Sequence, residues 1–244
     1  MARANRHILP GHVWHITQRC HKREFLLKFA RDRKRWIHWL FEARRRYGLS
    51  VLNYTVTSNH IHLLVRDCGK QELPASMQLL AGCVAQEFNR RKSRKGAFWE
   101  DRYHATAVAT DDHLIQCLLY IDLNMVRAGV VSHPGEWRES GYSELLSKRQ
   151  RYRVLDTPAL MGMLGIDDYE QLVTQRQEWV DQALATGLGD DERDSRWTGG
   201  IAVGSYEFVE SVQVGLGYSV MGRSIVECGG SCILREDDAC YDTI

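Results

Sequence analysis

Ser58-Asn59-His60-Ile61-His62-Leu63-Leu64-Val65 reads as a half-buried strand leaving a tight turn. Side chains on a strand alternate between faces, so Ile61 enters the core while His60 and His62 share the other side. Two imidazoles held next to each other on a rigid strand form a natural pair of metal ligands. A bare His-x-His is a short pattern, and two surface or core histidines alternate just as well. Its meaning depends on what the rest of the chain brings to it.

Working outward, residues 51–57 alternate as a second strand, and Ser58-Asn59 suits the turn of a hairpin. Residues 13–18 form a further strand pattern. Residues 31–47 show helical spacing, with Trp36, Leu40 and Ala43 on the apolar side and Gly48 as a stop. Pro74, at its permitted first-turn position, opens a helix to about Phe88, and residues 103–109 alternate again. The order β-α-β-β-α-β predicts an α+β chain of ferredoxin-like type: an antiparallel sheet with helices on one face, followed by an extra helix. Such a fold does not specify a function, so the function must come from the site.

The extra helix spans residues 110–129, with Thr110 as the expected N-cap, Asp111 and Asp112 in the first turn and Gly129 as the stop. Leu114, Leu118, Ile121 and Met125 form its core stripe. Tyr120, Asn124 and Arg127 lie off that stripe, stacked on one face at i, i+4 and i+7. A phenol, an amide and a guanidinium aligned in this way suit a nucleophile, a metal ligand and a phosphate clamp. A boundary tyrosine with solvated neighbours would give the same spacing.

Taken together, His60-Ile61-His62 and the helical Tyr120-x-x-x-Asn124 resemble the HUH single-tyrosine transposases, in particular the REP-associated tyrosine transposases. The resemblance extends to Pro10-Gly11-His12-Val13-Trp14-His15-Ile16-Thr17-Gln18-Arg19, Phe88-Asn89-Arg90-Arg91, Phe98-Trp99-Glu100-Asp101-Arg102-Tyr103, residues 123–131 and Ser140-Gly141-Tyr142. It covers about residue 5 to residue 145. It implies that His60, His62 and Asn124 hold Mg²⁺ or Mn²⁺, and that Tyr120 attacks DNA to give a 5′-phosphotyrosine and a free 3′-hydroxyl. The implied partner is single-stranded DNA with a REP-like hairpin, cleaved and rejoined. A second reading keeps the binding and loses the chemistry: a domesticated, catalytically idle hairpin-DNA-binding protein. A binuclear metallohydrolase would need an Asp-His pair after the histidines, where Leu63-Leu64-Val65 stands. A replication or conjugation initiator would carry additional regions for which this chain is short.

Charge supports a polyanion partner. The formal net charge is only +1, yet residues 1–110 hold 21 Lys and Arg against 8 Asp and Glu, and the remainder reverses the balance with 11 against 23. From the basic runs, Arg90, Arg91, Lys92, Arg94 and Lys95 are expected to meet DNA, together with Arg102 and Arg127. Trp14 and Trp99 are candidates for stacking on bases, although core packing is the commoner use. His15, on the first strand, is expected behind the site rather than as a ligand. No apolar run is long enough for a membrane span and the N-terminus lacks an apolar signal, so a cytoplasmic protein without membrane contact is expected. Seven scattered cysteines argue for free thiols rather than a disulfide framework. Two regions are expected: a transposase-like domain at 1–150, and an acidic extension at 151–244, mostly helical or partly disordered. In the extension, residues 167–185 and 206–216 suggest helices, and residues 187–192 a flexible break.

Overall fold

The computed structural model describes residues 8–147, 151–187 and 194–236. Alternating apolar residues build β1 (Val13–Arg19), β2 (Ser50–Val56), β3 (His60–Arg66) and β4 (His104–Val108), laid side by side as β2-β3-β1-β4 with every pair antiparallel. The hairpin between β2 and β3 turns at residues 57–59, where the Thr57 amide donates to the His60 carbonyl (3.0 Å) and the Thr57 hydroxyl accepts from the His60 amide (3.0 Å). This fixes His60 as the first residue of its strand.

α1 (Ala30–Tyr47) and α2 (Glu72–Arg91) cover the sheet face that receives Trp14, Ile16, Ile61 and Leu63. Gly48 ends α1 with φ +74°, a left-handed conformation that glycine adopts without a Cβ clash. α2 starts at Glu72, two residues before Pro74, because the Glu72 carboxylate takes the amides of Cys68 and Lys70 and so closes the entry turn. Proline inside the first turn is tolerated there, since its missing N–H would have no helical acceptor.

α3 (Asp112–Asp122) lies across the opposite face, so the ferredoxin-like layer of α1 and α2 is matched by a helix on the histidine side. Its N-cap is Asp111, whose carboxylate accepts from the His113 amide (2.9 Å), one residue later than the expected Thr110. The helix breaks at Leu123 and resumes as α4 (Asn124–Arg127), and Gly129 follows with φ +64°. α5 (Gly141–Leu146) closes this half, with the Ser140 hydroxyl as its cap.

The later chain contributes more than helices. α6 (Thr157–Leu164) and α7 (Tyr169–Ala185) are followed by the short α8 (Arg196–Gly199), β5 (Ala202–Gly204) and α9 (Tyr206–Leu216). A hairpin of β6 (Arg223–Cys228) and β7 (Ser231–Glu236) completes the described chain. β5 pairs parallel to β4 and antiparallel to β7, giving among the described residues a mixed seven-stranded sheet, β2-β3-β1-β4-β5-β7-β6. α7 and α9 lie where helical spacing placed them. The three added strands were hidden by a Gly-, Ser- and Cys-rich composition whose turn, Gly229-Gly230, supplies the two positive φ angles of a tight hairpin. Of the expected break at residues 187–192, residues 188–192 lie outside the described residues. Among the described residues no helix is long and apolar enough to cross a membrane.

Candidate active site

Sheet register assembles the site. Thr17 on β1 stands opposite His62 on β3 and His104 on β4, and Arg19 stands opposite His60, so these side chains rise from one face in adjacent rows. Over them, α3 and α4 deliver Tyr120 and Asn124. All of these line a cavity of about 490 Å³, together with Gln18, Glu100, Asp101, Arg102, Arg127, Ala128 and Thr198. The four residues singled out as nucleophile and ligands therefore meet in one place. Two of the seven candidate DNA contacts, Arg102 and Arg127, share the wall with them.

The imidazoles are oriented by their neighbours. His60 Nδ1 lies 2.7 Å from the Asn59 side-chain oxygen and 2.9 Å from the Thr57 hydroxyl, so Nδ1 carries the proton and Nε2 the lone pair. The Asn124 amide donates to His62 Nε2 (3.0 Å), which makes Nε2 the lone-pair nitrogen of His62 as well, and Nδ1–H then donates to His15 Nε2 at 2.9 Å. The two rings of that last pair are stacked, with 5.1 Å between centroids and 8° between planes. The donor set fits a divalent cation: two imidazole nitrogens presented in the ligating tautomer, and an amide whose half-turn places an oxygen where its nitrogen now stands. Among the described residues no group of three His, Cys, Asp or Glu side chains forms a metal cluster, so Asn124 is needed to complete the set.

His15 is fully buried, and burial lowers its pKa to about 3, helped by the nearby His104 and opposed by the Trp197 backbone. It stays neutral and acts behind the site, as its strand position suggested. Tyr120 is 7% exposed. Its ring meets His15 and His62 edge-on at 5.9 and 5.6 Å, and the Arg127 guanidinium lies 4.3 Å over its face. Arg127 also donates to the Tyr120 carbonyl, so it braces the break between α3 and α4 as well as facing the cavity.

The remaining candidate DNA contacts sit elsewhere. Arg90 and Arg91 line a second concavity of about 410 Å³ between α1 and α2, on the other side of the sheet. Arg91 pairs with Asp32, Arg94 binds the Ala97 carbonyl and Glu24, and the Lys92 ammonium lies over the Phe29 ring. Lys95 is exposed. Ion pairs of Arg33 with Glu139, Arg35 with Glu87, and Arg45 and Arg46 with Glu42 neutralise further members of the basic runs. Raw charge counts therefore overstate the free positive field. Trp14 is buried, and the half-buried Trp99 donates to the Ala81 carbonyl (3.1 Å), so both are packing residues.

The sequence reading missed His104, Glu100, Asp101, Thr17 and Thr198. His104 was within reach, because the alternation of residues 103–109 places it with Thr106 on one face. Thr198 and its buried neighbour Trp197 carry no local signal. They arrive through the parallel pairing of β5, which no short-range pattern encodes.

Residues 10–124 match the family model of IS200-like transposases. Among solved structures, a REP-associated tyrosine transposase bound to a REP hairpin aligns with a TM-score of 0.51 and 18% identity, covering 61% of this chain and 87% of that one. This is a likeness of fold. A Deinococcus radiodurans R1 protein described as a transposase aligns with a TM-score of 0.36 and 16% identity, over 50% of this chain and 95% of that one. No curated protein matches.

Proposed function

We propose, for a chain whose residues 10–124 match the family model of IS200-like transposases, a metal-dependent transposase or endonuclease that cuts and rejoins single-stranded DNA beside a REP-like hairpin. The observation that carries this reading is the convergence of His60, His62, Asn124 and Tyr120 on one cavity. The hairpin partner is inferred from the fold likeness to the REP-associated transposase and from the basic first half of the chain.

Tyr120 is the nucleophile in this reading. An ordinary phenol, with a pKa near 10, is protonated at neutral pH and needs assistance to attack phosphorus. A divalent cation, Mg²⁺ or Mn²⁺, held by His60, His62 and Asn124 would polarise a non-bridging oxygen of the scissile phosphate. Tyr120 Oη forms the bond to phosphorus as the P–O3′ bond breaks, and the proton lost by the phenol is balanced by the one gained at the departing 3′-oxygen. The products are a 5′-phosphotyrosine and a 3′-hydroxyl. Attack of a 3′-hydroxyl on the same phosphorus reverses the step, and because the ester bond is exchanged rather than hydrolysed, rejoining needs no nucleotide triphosphate. Arg102 and Arg127, which line the same cavity, would hold the phosphate in this reading.

The direct test is incubation with single-stranded hairpins taken from repeats flanking the gene, scored for a covalent protein–DNA adduct. Binding without any adduct would favour the idle hairpin binder. His60→Ala and His62→Ala should each abolish cleavage while retaining most of the hairpin affinity, because affinity comes mainly from Lys and Arg contacts. EDTA should reproduce the loss in the parent protein, and cleavage that survives removal of both imidazoles rules out this site. Hairpin binding should also exceed binding to the same sequence as plain duplex and fall steeply from 50 to 200 mM salt, as displaced counterions require. A salt-independent affinity in filter-binding titrations would exclude a phosphate-dominated contact.

A further inference from the structure

We propose that residues 194–204, beyond the segment that carries the imidazoles and the tyrosine, position Tyr120 for attack, with Trp197 as the contact. The inference rests on Tyr120 being the nucleophile. Trp197 is 1% exposed, and its indole centroid lies 6.1 Å from the Tyr120 ring and 6.5 Å from the His15 ring. With His15, His62 and Arg127 it encloses the phenol. The neighbouring Thr198 faces the cavity itself.

The segment is fastened at both ends of Trp197. On one side, Arg196 donates to the Asp194 carboxylate (2.9 Å) and to the Ser231 hydroxyl (3.2 Å). On the other, the Gly200 carbonyl accepts from the Thr106 hydroxyl (2.6 Å), and the Ala107 amide donates to the Ile201 carbonyl (2.8 Å). Gly200 has no room for a larger residue: a Cβ there would meet the Arg196 carbonyl oxygen and Ile233 Cγ2, both at 2.8 Å. α8 is thus pressed against β4, and the indole is presented as a fixed wall.

A tyrosine has two side-chain torsions, and a near-attack geometry tolerates little error in either. Removing the indole opens space into which the phenol can swing. The hairpin contacts expected at Arg and Lys side chains are untouched. The consequence is a loss in the chemical step with no loss in DNA affinity.

The experiment compares Trp197→Phe, Trp197→Leu and Trp197→Ala in the full chain. Single-turnover adduct formation is measured on a hairpin substrate, alongside hairpin Kd and thermal unfolding. Trp197→Leu and Trp197→Ala should slow adduct formation on the order of 10- to 100-fold with an unchanged Kd, and the flat ring of Trp197→Phe should restore most of the rate. Folded Leu and Ala variants that react at the parental rate overturn the proposal. So does a rate that falls only in step with DNA affinity, or failure of all three variants to fold, which would make Trp197 a core residue alone. Tyr120→Phe runs in parallel: an adduct in that variant means the nucleophile is misassigned, whereas its absence beside fully active Trp197 variants defeats only the positioning role.

Discussion

Replacing Tyr120 by Phe is expected to give a folded protein that binds the hairpin and forms no covalent adduct. The substitution removes one oxygen and leaves the ring that packs against His15, His62, Trp197 and the Arg127 guanidinium. Among the described residues lining the cavity there is no second phenol to take over the attack. Loss of a covalent nucleophile costs on the order of 10⁴-fold or more in the chemical step, so cleavage should fall below detection. Tyr103→Phe is the matched control. Tyr103 is half-buried just ahead of β4, outside the cavity lining, and that variant should retain adduct formation. Mass spectrometry of the nuclease-trimmed adduct should place the nucleotide on the peptide containing Tyr120. An adduct mapped to Tyr103 or Tyr142, or normal cleavage by Tyr120→Phe, would end this mechanism.

The second large effect concerns stability. Arg176 on α7 donates to the Asp122 carboxylate at the end of α3, with side-chain exposures of 2% and 0%. The other oxygen of Asp122 accepts from the Asn53 amide (2.8 Å), which ties β2 into the same network. Burial pushes the Asp122 carboxyl pKa up, and the guanidinium and amide act against that push. Arg176→Ala would strand the carboxylate in the interior, and breaking a buried pair from one side costs about 3–5 kcal/mol. Urea unfolding should show that loss as a lower midpoint. Combining Arg176→Met with Asp122→Asn should recover a large part of it, because no uncompensated charge remains while the Asn53 contact can persist. A single Arg176→Ala variant as stable as the parent would mean that water reaches the pair.

Much of the first half was legible because its signals are local. The alternation of residues 13–18, 51–57 and 61–66 identified three strands, and the same alternation put His60 and His62 on one face. The i, i+4 step from Tyr120 to Asn124 survived the break at Leu123, since α4 continues the direction of α3 closely enough for both side chains to line the cavity. Boundaries shifted where side chains bonded to backbone amides, as with Glu72 ahead of Pro74 and Asp111 in place of Thr110. Charge was the weaker guide. Arg33 belongs to a buried pair with Glu139 and stacks on Trp137 at 4.4 Å, which a run of basic residues cannot reveal. The contributions of Trp197, Thr198 and Arg176 depend on contacts between distant segments, and only the folded chain displays them.

The parallel pairing of β4 with β5 also sets a timetable for the molecule. Ala107 is matched with Ala202, so the pairing closes a loop of about 95 residues, whereas β2 and β3 meet across a tight turn. Closure entropy and the slow search for distant partners place this pairing late in folding. A chain still being synthesised exposes its imidazoles and phenol long before Trp197 leaves the ribosome. During that interval the edge of β4 stands open and the phenol lacks its indole wall. Under the positioning role proposed for Trp197, the phenol gains its fixed wall only once β5 has paired with β4, so the full rate of adduct formation follows that late pairing rather than the early assembly of the imidazoles.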